Sequence, residues 1–445
     1  MNDIYGKLSH LIDGYKDEML EDLSGFIKIP SVTDNRPEVQ NALDYILQSG
    51  ARAGFHCRSV LEGEVGLIEM GQGDEMLGIL GHVDVVNEGE TDKWHTSPFA
   101  PTLQNGLLYG RGAIDDKGPV IASLYAMKAV QALGIEEQKP LNKKVQLILG
   151  TREESEWTDM NSYVTSFPLP DYGFTPDGEF PVCNIEKGAA SITMSLPATV
   201  DEVISQLEGG SSPNVVPGKC EAMVRGEKFV AHGKAVHACQ PEKGENAILK
   251  MAAMLQQMKI EGSSLSKVTD MLLQYFTDQE GASLGLRSES EYYNGEFVHR
   301  NIFTPTMIKA GKQDTKIVFD IRYAYGTEFA DIHTTFKKLA ERMGGEILSF
   351  ENLPPVYVSS EKPYIRAFAR AYEKMSGRKN EYALAYGGSY AKAMPNVVSW
   401  GPLFPGDQDT CHEENEFISV EALMLNCKIF AAAICEIAMS EESFK

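Results

Sequence analysis

Two apolar runs that empty into acidic loops constrain this chain more than any other feature. MLGILGHVDVV, from Met76, and KKVQLILGTREESE, from Lys143, each read as a buried strand followed by a polar loop. Between them, YGRGAIDDKGPVIASLYAMKAVQAL gives a glycine-rich loop and then a long helical pattern. Strands alternating with helices predict an α/β domain, a central mixed sheet flanked by helices. In such sheets functional groups collect beyond the carboxyl ends of the strands. The polar clusters around His82, Asp115, Glu154 and Asp177 all fall in that position.

The middle of the chain has another rhythm. MVRGEKFVAHGKAVHACQPEKGENAILKMAAMLQQM reads strand, loop, helix, while TKIVFDIRY, EFADIHTTFKKLAERM and GEILSF read strand, helix, strand. Those units suit an α+β domain of the split βαβ, ferredoxin-like type. At 445 residues the chain exceeds the size of one core, so two domains are expected. The strand-and-loop style returns with AYGGSYAKAMPNVVSWGPLFPGDQDTCHEENEF, and a final helix is expected from Ser419, an N-cap with Glu421 in its first turn. The expected organisation is one catalytic domain in two pieces, residues 1–185 and 386–445, interrupted by an inserted lid over residues 186–385.

With 41 basic against 63 acidic residues the formal charge is −22, which disfavours a broad phosphate-neutralising surface. No nucleic-acid or membrane partner is expected. Seven cysteines without a C-x-x-C pair argue against a disulfide framework and for a reducing, cytoplasmic setting. The N-terminal MNDIYGKLSHLIDGYKDEML interleaves acids and reads as an amphipathic helix rather than a signal core. MLNCKIFAAAICEIAM contains Lys428 and Glu436 and falls short of a membrane span.

Five side chains at strand ends or in loops are potential metal ligands: His82, Asp115, Glu154, Asp177 and His412. Imidazole with carboxylate suits zinc, manganese or cobalt, and a carboxylate can bridge two ions. Two ions roughly 3.5–4 Å apart can activate one shared water and polarise a carbonyl. Taken singly, each residue also reads as ordinary: a loop histidine, the acidic pairs Asp115-Asp116 and Glu153-Glu154, an Asp-Gly turn at Asp177. No H-E-x-x-H stretch marks a compact zinc site.

GHVDVV, YGRGAIDDKGP, TREESE, FTPDGEFP, GKAVHACQPEKGENA and FPGDQDTCHEENE, in this order, resemble the metallopeptidase family of carboxypeptidase G, aminoacylase and the dipeptidases. Within it the pattern is most similar to the dipeptidase V (PepV) type, and the likeness runs over nearly the whole chain, including SSPNVVPGK and GGSYAKAMPN. The resemblance implies that His82 and Asp177 hold one divalent ion, Glu154 and His412 a second, and that Asp115 bridges them. Two zinc ions are implied, with manganese or cobalt acceptable to the same ligands. Asp84 would orient His82, and the Asp115–Asp116 peptide would be cis. Glu153 would act as general base on the metal-activated water. His237 would stabilise the oxyanion, with His232 the competing histidine five residues earlier.

By the same resemblance Asn214 and Arg322 would bind substrate, Arg322 through a terminal carboxylate, and Gly387, Gly388 and Ser389 would approach it. GSYAK stands where the dipeptidase pattern has Thr and Arg, a departure that bears on fine specificity. The implied activity is hydrolysis of the amide bond of dipeptides by a monomer, its extended lid replacing a partner subunit. N-acyl amino acid deacylation or desuccinylation on the same centre is the alternative, against which lid length and the NVVP segment weigh. A non-catalytic binding protein would be expected to lack the base or a ligand, and Glu153 and all five ligands are here.

Overall fold

Residues 2–445 are described by a computed structural model, and they separate into two units. The first joins the chain up to Asn184 with Val358–Ala385 and Ser389–Lys445; the second is Ile185–Tyr357 with Tyr386–Gly388.

In the first unit, β1 (His56–Val60), β2 (Val65–Met70), β3 (Met76–His82), β4 (Lys144–Gly150) and β5 (Tyr172–Thr175) join Val397–Ser399 in one sheet. The order is β1-β2-β4-β3-β5 with Val397–Ser399 at the far edge. β4, β3, β5 and Val397–Ser399 are parallel, and β2 and β1 continue the sheet antiparallel, so it is mixed. The apolar runs follow from this: β3 and β5 are buried on both faces apart from Met76, as inner parallel strands must be. On one face Val65, Leu67, Leu80, Ile148 and Val397 pack with Met160 and Tyr163 of the helix Thr158–Ser166 and with Tyr390.

Helix Lys117–Glu136 packs against β3, helix Val420–Ala438 and the N-terminal helices Asn2–Gly14 and Lys16–Ile27. Among the described residues it is the helix long and apolar enough to cross a membrane, and every residue from Lys117 to Met127 is buried. Being enclosed by protein on several sides accounts for its apolar character all round. Ser419 caps the last helix as expected, its hydroxyl accepting the Ala422 N–H at 3.0 Å with Glu421 in the first turn.

The second unit is an antiparallel sheet of β6 (Gly188–Leu196), β7 (Ile204–Gly209), β8 (Lys219–Val224), β9 (Glu227–His232), β10 (Ile302–Ala310), β11 (Thr315–Tyr323) and β12 (Glu346–Leu353). Its order is β9-β8-β7-β10-β11-β6-β12. β6, β10, β11 and β12, with the intervening helices, make a ferredoxin-like βαββαβ frame, and the meander β7–β9 widens it beside β10. Helices Ala247–Gln257, Leu265–Phe276 and Phe329–Arg342 supply Met251, Leu272 and Phe336 to a core with Ile192, Met194 and Phe319. MVRGEKFVAH is a hairpin: Arg225 and Gly226 both take positive φ, 51° and 85°, between the paired Val224 and Glu227. That is the backbone a two-residue hairpin turn requires.

One expected boundary moves. The chain returns to the first unit at Val358, not at residue 386, so helix Pro363–Ser376 belongs there. Its Tyr364, Phe368 and Tyr372 stack on Tyr172, Trp400 and Phe180 at 5.1, 4.7 and 5.2 Å between ring centres. Amphipathic spacing gives a helix an apolar face but does not say which core receives it.

Candidate metal centre

Because β3, β4 and β5 are parallel, their carboxyl ends open at one edge of the sheet. β3 ends at His82, β4 runs on into Thr151–Glu154, and β5 runs on to Asp177. Asp115 lies in the loop before helix Lys117–Glu136, and His412 in the loop between the short strands Pro402–Leu403 and Phe417–Ser419. The Asp115–Asp116 peptide is cis.

Asp115 divides its oxygens between the two imidazoles. Its Oδ1 stands 3.1 Å from His82 Nε2, and its Oδ2 stands 2.9 Å from His412 Nε2. His412 Nε2 is also 3.0 Å from Glu154 Oε1, and His82 Nε2 is 3.9 Å from Asp177 Oδ2. Potential ligand atoms of His82, Asp115 and Glu154 lie within 4.8 Å of one another, as do those of His82, Glu153 and Asp177. All five anticipated ligands and Glu153 therefore converge, with Glu154 near both histidines.

His82 Nδ1 donates to the Asp84 carbonyl at 2.9 Å, which leaves Nε2 facing the cluster as the nitrogen that could bind an ion. The buried Asp84 carboxylate lies 3.5 Å from the same Nδ1 and accepts from Thr33 Oγ1 at 2.8 Å. It also accepts the N–H groups of Glu153 and Glu154 at 3.2 and 3.3 Å. Asp84 thus fixes the turn carrying both glutamates as well as the histidine.

The donor set fits divalent cations. His82 Nε2 and Asp115 Oδ1 are buried and, despite their proximity, neither has a hydrogen bond of proper direction. Burial, and then the charge of Asp115, push Asp177 up to about 7; burial and Asp177 hold Glu153 well above the usual carboxylate range. Glu154 is raised by burial and Asp115. His412 is pushed up to about 11 by its hydrogen bonds to Asp115 and Glu154. Buried carboxylates that repel one another, and imidazoles raised by the carboxylates beside them, are the surroundings that a pair of cations displacing those protons would relieve.

Two carboxylates that sequence reasoning missed brace these loops. Glu416, fully buried, accepts from Arg111 Nη1 at 2.7 Å and from the N–H groups of Gly112, Ile114 and Asp115 at 3.0, 2.9 and 3.2 Å. Asp159, also buried, accepts from the N–H groups of Thr151 and Arg152 and from the Tyr390 hydroxyl. In the sequence Glu416 is one of three glutamates in CHEENEF, and Asp159 is an acid in the first turn of a helix. No local signal separates either from a solvated residue.

The inserted unit holds its own anticipated residues. Arg322, on β11, forks onto Asp320 through Nε and Nη2 at 2.9 and 2.8 Å, and gives Nη1 to the Tyr386 carbonyl at 3.1 Å. The planar fork expected to meet a substrate carboxylate is thus committed to Asp320. His237 accepts the Cys239 N–H on Nδ1 at 3.2 Å, and burial and then Arg322 lower its pKa. The ring is therefore neutral with its proton on Nε2. The Ala238 N–H donates to the Asn214 carbonyl at 2.9 Å, bringing the Asn214 and His237 segments together. His232 ends β9 with an exposed side chain. Gly387 and Gly388 group with this unit. Ser389 falls in the first, its hydroxyl accepting the Ala391 N–H as the cap of a short turn.

The model of "Peptidase family M20/M25/M40" matches residues 78–436. "Putative dipeptidase YtjP" of Bacillus subtilis is 32% identical over 466 residues, covering 95% of this chain and 98% of that protein. A "Putative dipeptidase" of Staphylococcus epidermidis is 28% identical over 472 residues, covering 96% and 98%. Among solved structures, human carnosine dipeptidase 1 matches with a TM-score of 0.64 at 17% identity, over 98% of this chain and 99% of that one. Aminoacylhistidine dipeptidase from Vibrio alginolyticus matches with a TM-score of 0.65 at 14% identity, over 94% and 96%. These two likenesses establish the shared fold. The family match and the full-length relative establish more: the chain belongs to peptidase family M20/M25/M40 and is a hydrolase of peptide bonds.

Proposed function

We propose that this protein is a dinuclear metallo-dipeptidase. The observation that carries the reading is the division of the Asp115 oxygens between His82 and His412, with Glu154 and Asp177 alongside. His82 and Asp177 would hold one ion, Glu154 and His412 the other, and Asp115 both; zinc, manganese and cobalt all suit the set. When bound, two such ions acidify a water and polarise the substrate carbonyl.

The chain's own residues do the rest. Glu153, raised by burial and by Asp177, takes the proton of the attacking water and delivers it to the leaving amine. His237 offers its Nε2–H to the developing oxyanion, a role its Nδ1 contact with Cys239 N–H favours. Asn214, Arg322 through the edge that Asp320 leaves available, and the backbone of Gly387, Gly388 and Ser389 bind the peptide. Dipeptides are favoured as substrates because the full-length relatives carry the dipeptidase name. The large inserted domain supports a monomer that admits only short peptides, and seven cysteines without a C-x-x-C pair support a reducing compartment.

The test is release of amino acids from a dipeptide panel, run beside N-acetyl amino acids and a tripeptide. Metal-stripped protein is restored with zinc, manganese or cobalt, and Glu153→Ala serves as control. Metal-dependent dipeptide cleavage that disappears in the variant is expected. Cleavage of acyl amino acids alone would move the protein to deacylation, and no turnover with metal bound would leave a binding protein.

A further inference from the structure

We infer that Glu416 is a positioning residue of the metal centre: it shapes the Arg111–Asp115 loop so that Asp115 presents both oxygens inward. The inference rests on the two-metal reading and concerns what holds its shared ligand in place. Glu416 lies four residues after His412 and is fully buried. Its Oε1 accepts the N–H groups of Ile114 and Asp115; its Oε2 accepts the N–H of Gly112 and Arg111 Nη1. The Gly110 N–H donates to the Glu416 carbonyl at 2.9 Å, and Arg111 Nη2 reaches the Asn87 carbonyl at 3.2 Å. The end of the His412 loop thereby grips the Asp115 loop at five points.

The chemistry of that grip requires a carboxylate. Four N–H donors converge on two oxygens and none of the four can accept, so an amide in its place would aim an NH₂ group at other donors. Gly112 contributes a special backbone: its φ is 86°, and a Cβ there would lie 2.9 Å from Lys117 Cδ. Asp115 is the ligand with both oxygens engaged. A small rotation of its loop would therefore disturb both halves of the centre at once, whereas loss of alignment at Asp177 or Glu154 would disturb one.

The experiment is metal binding by metal-stripped Glu416→Gln, followed by zinc titration against a competing chelator and by the visible absorption of the cobalt-loaded protein. Zinc affinity about 10–100-fold weaker than wild type, with shifted cobalt bands, is the expected result. Since Gln also leaves the Arg111 charge buried without its partner, the double variant Arg111→Met with Glu416→Gln is measured in parallel. It is expected to regain thermal stability while its zinc affinity stays low. Wild-type affinity and spectrum in Glu416→Gln, or affinity that recovers together with stability in the double variant, would overturn the assignment and leave Glu416 a structural residue. Failure of the wild-type chain to take up two ions would instead bring down the two-metal reading, and this inference with it.

Discussion

Tyr390 donates a 2.7 Å hydrogen bond to Asp159, 231 positions away in the chain. The same Asp159 oxygen accepts the N–H groups of Thr151 and Arg152 at 2.6 and 3.0 Å, the first residues beyond β4. The Tyr390 ring meets the His82 ring edge-on with 6.3 Å between centres. A tyrosine from the late segment thus braces both the turn before Glu153 and a metal-ligand histidine of the proposed centre.

Tyr390→Phe keeps the ring contact and removes one of four donors from a buried carboxylate. The expected cost is about 1–2 kcal/mol, seen as a lower Tm, with kcat reduced several-fold and KM little changed. Tyr390→Ala adds a cavity, and its cost rises to about 3–5 kcal/mol. Thermal melts and steady-state kinetics on a dipeptide check both. Equal kcat in Tyr390→Phe and wild type would show that the hydroxyl does not brace the glutamate turn.

Removing the metals should make stability fall as pH rises through neutrality. In the metal-free protein burial and Asp115 put Asp177 at about 7, above its unfolded value near 4. A raised carboxyl binds a proton more tightly when folded, so stability is greatest below the unfolded pKa and is lost as pH climbs to the folded one. His412, raised to about 11, acts in the same sense at higher pH. For Asp177 alone the loss between pH 4 and 7 is at most about 4 kcal/mol. Metal binding prefers the deprotonated ligands and reverses the sign. Melts of chelator-treated and zinc-restored protein at pH 5 and pH 8 should therefore diverge most at pH 8. A metal-free Tm that does not fall between the two pH values would contradict this.

His237 and His232 should separate cleanly. His237→Ala is expected to lose about 10²–10³ in kcat with a small change in KM, because its Nε2–H meets charge that appears only in the transition state. His232→Ala should stay within about twofold of wild type, since that ring is exposed at the end of β9. Comparable losses in both variants would reject the assignment of the oxyanion donor.

The parts of the centre legible in the sequence are those where local pattern and position coincide. β3 and β4 announce themselves because inner parallel strands must be apolar, and the residues where the apolar run stops are the ones at the sheet's carboxyl edge. His82 and Glu154 could be placed that way, and the remaining ligands took their roles from ordered motifs. Glu416 could not be read, because what distinguishes it from Glu413 and Glu414 is a set of N–H donors some 300 residues earlier, brought to it by the fold. Arg322 shows a different limit. Sequence supplies a guanidinium on a strand but not the Asp320 partner that occupies its fork, since alternate residues on one strand face the same side only once the strand exists. Helix Pro363–Ser376 failed for a third reason: its period is clear, and its destination depends on Tyr172, Phe180 and Trp400 in distant segments.

Glu69 offers a test of the scaffold away from the chemistry. It sits on β2 directly across from His56 on β1 and Gln146 on β4. Its oxygens gather Lys144 Nζ at 2.5 Å, Gln146 Nε2 at 2.7 Å, His56 Nδ1 at 3.1 Å and Arg58 Nε at 3.5 Å. Burial alone would raise this carboxyl, but the hydrogen bonds from Lys144 and His56 outweigh it and bring the pKa to about 2. A depressed carboxyl contributes stability that is present above its unfolded pKa, near 4.3, and is lost as pH falls toward the folded value. Solvent screens these partners, so the contribution is set at about 1 kcal/mol rather than the full shift. Glu69→Gln should accordingly lower Tm by roughly 1–3 °C at pH 7, and the gap from wild type should close between pH 4.5 and pH 2, where wild-type Glu69 itself becomes neutral. Calorimetric melts across that range decide it: a gap that persists unchanged at pH 2 would mean that the glutamine disturbs packing across the three strands, and that charge at Glu69 does not stabilise them.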